Sequence, residues 1–88
     1  MRSSLKARLV NAKGLHARPC HALVSTALGF ESDVRVRSGD QEVNGKSILE
    51  LMTLGAACGV ELEFLADGED AEAAVAALVA LVASGFDE

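Results

Sequence analysis

The sequence predicts an α+β domain: a two-layer, open-faced sandwich in which three helices cover one face of a four-stranded antiparallel sheet. Three observations lead there. Segments with an apolar period of two and segments with helical spacing follow one another in the order βαββαβα. Three amphipathic helices need one shared surface, and alternating strands offer one apolar face. The polar residues of those strands leave the other face wet, which favours antiparallel pairing.

Leu5, Ala7 and Leu9 alternate with Lys6 and Arg8 and read as a half-buried strand. Cys20, Leu23, Val24 and Ala27 recur at helical spacing with Gly29 beyond them, so a first helix spans about Ala17 to Leu28. Val34 and Val36 alternate with Asp33, Arg35 and Arg37 in a second strand. Ser38-Gly39-Asp40 carries turn chemistry, and Gln41 to Asn44 return as a short third strand. Arg35 and Arg37 have acidic residues on either side and fall on the solvent face. Ser47-Ile48-Leu49-Glu50 fits a capping box, in which the serine hydroxyl and the glutamate carboxylate each satisfy an orphan N–H. Ile48, Leu51 and Met52 then give a short second helix that ends near Gly55. Val60, Leu62 and Phe64 alternate with Glu61 and Glu63 in a fourth strand. Asp67 is expected to cap a final helix, with Glu69, Asp70 and Glu72 early where the dipole favours anions. Val75, Leu78, Val79 and Val82 form its buried stripe, and Gly85 ends it.

Eighty-eight residues, half of them hydrophobic and a quarter charged, make one globular domain over 1–88. A cofactor fold and a catalytic domain do not both fit, and no cofactor is expected. The net charge of −5 argues against nucleic acid. No apolar run reaches the ~18 residues of a membrane span, so no membrane insertion is expected. The start Met-Arg-Ser-Ser-Leu-Lys lacks the apolar core of a signal peptide, so the expected compartment is the cytoplasm. A monomer is expected. Cys20 and Cys58 are then reduced thiols, expected to be buried or half-buried.

The stretch Gly14-Leu15-His16-Ala17-Arg18-Pro19 joins the first strand to the first helix. Glycine permits a tight turn, and proline suits the first turn of a helix. His16 therefore sits at the N-cap or next to it, and Ala17 and Arg18 supply N–H groups that lack intrahelical partners. Those donors and the positive end of the dipole form an anion site. An imidazole, an anion cradle and a nearby guanidinium point to phosphate chemistry on His16. No acid–base or nucleophile–base pair accompanies it, so a catalytic enzyme is not indicated.

Gly-Leu-His-Ala-Arg-Pro resembles the active-site signature of HPr, the histidine-containing phosphocarrier family of the bacterial phosphotransferase system. Gly45-Lys46-Ser47-Ile48-Leu49-Glu50-Leu51-Met52-Thr53-Leu54-Gly55 resembles the regulatory-serine segment of the same family. With the element order, the resemblance covers essentially the whole chain. The ending Ser84-Gly85-Phe86-Asp87-Glu88 is similar to that of some nitrogen-type members, and the sugar and nitrogen branches both stay open.

The resemblance implies a sheet ordered 1-4-2-3. It also implies phosphorylation of His16 at Nδ1, with Ala17 and Arg18 meeting the phosphate. The implied partners are enzyme I as donor and an IIA protein as acceptor. Ile48, Leu49, Met52 and Thr53 match the docking positions; Leu51 must face the core, and Ile48 does so in part. Ser47 matches a serine that a dedicated HPr kinase phosphorylates in some bacteria, so that kinase is a candidate partner. The alternative is a regulatory HPr-like binding module controlled through Ser47; loss of the histidine would mark it, and His16 is present. The chain departs from the family pattern after Pro19, where Cys20 and His21 replace small residues. His16 and Cys20 offer only two poorly aligned ligands, so no metal site is expected. His21 is expected to be exposed at the rim of the partner surface.

Overall fold

Side chains alternate along a strand, so a correct register lines up whole rows of like character across a sheet. In the computed structural model, which describes residues 1–87, four strands form one sheet: β1 (Arg2–Arg8), β2 (Asp33–Ser38), β3 (Gln41–Asn44) and β4 (Glu61–Asp67). They pair antiparallel in the order β1-β4-β2-β3, the expected architecture. Leu5, Phe64, Val36 and Val43 lie side by side across the four strands as one apolar row. One position along, Lys6, Glu63, Arg37 and Glu42 form the neighbouring row on the wet face. There the Arg37 guanidinium reaches Glu63 at 3.1 Å and Glu42 at 3.0 Å. The basic residues of β2 are thus answered by cross-strand carboxylates.

The helices α1 (Ala17–Ala27), α2 (Ile48–Thr53) and α3 (Ala71–Ala83) supply the other half of the core. Leu23, Leu51, Val75, Leu78 and Val82 are fully buried together with Leu62, Phe64, Val34 and Val36 of the sheet. Each such side chain contributes roughly 1.5–3 kcal/mol relative to exposure. Among the described residues, no helix is long and apolar enough to cross a membrane.

Some local expectations are corrected. Leu5 lies on the apolar face of the edge strand β1 yet is 44% exposed, whereas Val43 on the other edge strand is buried. Val79 is only half-buried, and Ala71 and Ala74 share the buried stripe instead. Half of the capping box forms: the Ser47 hydroxyl accepts from the Glu50 N–H at 3.2 Å. The Glu50 carboxylate, however, accepts from the Asn44 N–H at 3.1 Å, because the Ser47 N–H is already donated to the Asn44 carbonyl. Glu88, the last residue of the terminal pentapeptide, lies outside the described residues.

Asp67 does not cap α3. It ends β4 beside Arg2, at 3.4 Å, and Asp70 takes the N-cap position. The Asp70 carboxylate turns away from its own helix and accepts from the N–H groups of Glu31 at 2.8 Å and Ser32 at 3.0 Å, and from the Ser32 hydroxyl. These donors, the Ser32 hydroxyl first, hold its carboxyl below the usual carboxylate range. A depressed folded value stabilises the fold above the unfolded value, about pH 4, and the contribution fades as pH falls through the lower folded value. Thermal unfolding across an acid series should therefore show a steeper loss for the parent than for Asp70→Asn. Parallel curves would mean that this tether contributes nothing.

Candidate functional site

Hydrogen bonding along β1 continues past Arg8. The Leu9 N–H donates to the Val60 carbonyl at 2.9 Å, the Gly59 N–H to the Leu9 carbonyl at 2.8 Å, and the Arg8 guanidinium to the Gly59 carbonyl at 2.6 Å. Further on, the Leu15 N–H donates to the Ala56 carbonyl at 2.9 Å. The loop that precedes α1 therefore lies against the loop between α2 and β4. Gly14 makes the approach feasible. Its φ is +63°, and a Cβ there would run into the Ala56 carbonyl and stand 2.8 Å from the Ala57 Cα. Asn11, only 6% exposed, closes the loop from inside. Its Nδ2 donates to the Gly14 carbonyl at 2.8 Å, and the Gly14 N–H returns to the Asn11 carbonyl at 3.1 Å. Asn11 has no prominence in the hydrophobic pattern; the available signal is an asparagine shortly before a turn glycine.

His16 is the N-cap of α1, in extended backbone with φ −86° and ψ −174°. Its carbonyl accepts the first helical hydrogen bond, from the Cys20 N–H at 3.2 Å. Its side chain does not cap the helix. A capping side chain normally accepts from the second or third helical N–H, and the third residue here is Pro19, which has none. Ala17 and Arg18, the first two helical residues, are exposed. Their N–H groups point along the axis with no carbonyl of the helix to meet them.

Cys20, below them, is fully buried, and its thiol points at the Leu15 carbonyl, 3.8 Å away. Burial pushes this thiol up from its ordinary value, which disfavours the thiolate that a metal or an oxidant would need. His21 is exposed. Cys58 is exposed as well, contrary to expectation, because it lies in the α2–β4 loop outside the packed layers.

On α2, Leu51 is fully buried and Ile48 half-buried, whereas Leu49 is 80% and Met52 45% exposed. Thr53 is exposed but engaged, accepting from the Gln41 amide at 3.2 Å. The bond from Leu15 to Ala56 brings the end of the α2 segment beside the start of α1. Ser47 is at the far end of α2, as its N-cap.

The model of the family described as the PTS HPr component phosphorylation site matches residues 4–84. The chain belongs to the HPr family. It is 44% identical over 80 residues to the phosphocarrier protein HPr of Neisseria meningitidis serogroup A, covering 91% of this chain and 90% of that protein. It is 44% identical over 84 residues to the multiphosphoryl transfer protein of Vibrio cholerae; the match covers 92% of this chain but 21% of that protein's length. The crystal structure of HPr-C-His from Thermoanaerobacter tengcongensis superposes with a TM-score of 0.93 at 40% identity, covering 98% of this chain and 97% of that one. HPr proteins are phosphocarriers of the phosphotransferase system rather than catalytic enzymes.

In this chain the loop that carries His16 depends on the close contact at Gly14. Gly14→Ala should cost more than the ~1 kcal/mol of left-handed strain alone, since the loop against Ala57 must also open. Chemical unfolding measures it. A variant as stable as the parent would show that the two loops do not need this approach.

Proposed function

We propose that His16 accepts a phosphoryl group from a histidine of enzyme I and passes it to a histidine of an IIA protein. The observation that carries this reading is the place of His16: at the N-cap of α1, with the first-turn N–H groups of Ala17 and Arg18 beside it. An imidazole nitrogen, Nδ1 by family resemblance, attacks phosphorus as the bond to the donor nitrogen breaks. One phosphorus–nitrogen bond forms for each one lost, so no oxidant or water is consumed. The dianionic group then meets the backbone donors of Ala17 and Arg18, and the Arg18 guanidinium adds a charge-assisted contact.

Partners would cover Leu49 and Met52, with Ile48 and Thr53 at the edges of the contact. A phosphate on Ser47 from an HPr kinase would place charge at the border of this patch and oppose docking. The same domain acting only as a regulatory binder would not need His16.

Incubation with phosphoenolpyruvate and enzyme I should add an acid-labile, base-stable phosphate that His16→Ala cannot accept. In the same assay Arg18→Ala should slow transfer roughly tenfold, the weight of one charge-assisted hydrogen bond, with its fold intact. An acid-stable phosphate, or one retained by His16→Ala, would overturn the assignment.

Ser47 separates capping from docking. Asp is as good an N-cap as Ser, whereas Ser47→Ala should cost about 1 kcal/mol of stability. The carboxylate of Ser47→Asp would have to lose water beside Leu49 when a partner binds, which is costly if it is unpaired. Titration with enzyme I should therefore show weaker binding by Ser47→Asp than by Ser47→Ala. Equal affinities would place Ser47 outside the partner surface.

A further inference from the structure

We infer that Asn11 is a positioning residue for His16, acting through the peptide group between Gly14 and Leu15; the inference rests on the phosphocarrier reading of His16. Asn11 lies in no helix or strand, and its side chain is buried in the loop. Burying an amide is unfavourable unless it makes hydrogen bonds, so a buried asparagine signals a specific bond rather than packing. The bond here is from Nδ2 to the Gly14 carbonyl, at 2.8 Å. On the other side of the same peptide group, the Leu15 N–H donates to the Ala56 carbonyl at 2.9 Å. One planar peptide is thus pinned at its oxygen by Asn11 and at its nitrogen by the α2–β4 loop.

The pinned peptide lies one residue before His16. The Gly14 carbonyl also accepts from the His16 N–H at 3.1 Å, so the backbone of His16 hangs on an oxygen whose direction Asn11 sets. Gly14, with φ +63°, would otherwise be the freest joint of the loop. Without the amide, the peptide can swing, and His16 loses its fixed relation to the N–H groups of Ala17 and Arg18. A phosphoryl transfer between two histidines depends on such orientation.

The test uses the full chain as the substrate of catalytic amounts of enzyme I with phosphoenolpyruvate, so that kcat and KM are those of enzyme I for this chain. The variants are Asn11→Ala, Asn11→Asp and a control, Val75→Ala, which opens the core on α3 away from the site. Asn11→Ala should lower kcat about tenfold while KM stays within about twofold, the signature of lost orientation rather than lost docking. Asn11→Asp keeps the shape but turns an acceptor toward the Gly14 carbonyl, so it should lose at least as much and serves if the alanine variant does not fold. Val75→Ala, compared at the same fraction folded, should keep the parental kcat. Amide hydrogen exchange gives a readout independent of phosphate. The Leu15 and His16 amides should exchange about tenfold faster in the Asn11 variants and not in Val75→Ala. Parental kcat in folded Asn11 variants, unchanged exchange at Leu15 and His16, or an equal kcat loss in Val75→Ala would overturn the inference. Failure of the parent to accept phosphate on His16 would instead overturn the phosphocarrier reading, and exchange alone would then decide whether Asn11 fixes the loop.

Discussion

The hydrogen bond from the Leu15 amide to the Ala56 carbonyl is the constraint on which the site depends. It joins two loops that are far apart in the chain, and sheet topology makes their meeting unavoidable. Because β1 pairs with β4, the loop that leaves β1 and the loop that enters β4 emerge at the same end of the sheet. The first leads into α1 and the second comes from α2. Their contact therefore sets His16, at the start of α1, beside the exposed side chains of α2. A different strand order with the same helices would keep the core and lose this neighbourhood.

That dependence explains what could be read from the sequence and what could not. Period-two and helical patterns revealed the elements and which face each buries, since Val34, Val36, Leu62 and Phe64 carry that information locally. They could not reveal strand neighbours, because alternation says which side a residue faces and nothing about who lies next to it; the order came from family resemblance. Leu5 illustrates the limit: its face is legible, its place on an edge strand is not. Asp67 and Asp70 illustrate another. Both suit an N-cap by composition, and the choice between them depended on where the chain leaves β4. Asp70 then spends its carboxylate on Glu31 and Ser32, partners no local rule could name. Glu50 is diverted from its capping role to Asn44 in the same way. At the site, His16 and Arg18 were legible from the helix start, whereas Asn11 was not, because its importance lies in a bond within a loop whose shape is set by a distant segment.

The two faces of the sheet divide the work of charge. On the wet face, Arg35 and Arg37 are engaged by Glu42 and Glu63, so opposite charges answer one another across strands. Exposed pairs of this kind contribute little to stability. They keep that face hydrated while Leu49 and Met52 present apolar surface on the helical side, next to the site. On the proposed role, that exposed apolar surface is where a partner would dock.

On the proposed role, the cradle is sparse, and a carrier benefits from that. Pro19 at the third helical position removes one backbone donor. On that role, the donors left for a phosphoryl group are the N–H of Ala17, the N–H of Arg18 and the exposed Arg18 side chain. Each additional 1.4 kcal/mol of stabilisation would shift the equilibrium with a partner histidine about tenfold toward retention. A deeper anion pocket would thus capture phosphate and slow its release. On the proposed role, the rigidity that Gly14, Asn11 and the Ala56 carbonyl impart fixes where His16 stands, while the open helix end limits how tightly it holds what it carries. Orientation and affinity are thereby set by different residues, and the first can be strong without making the second so.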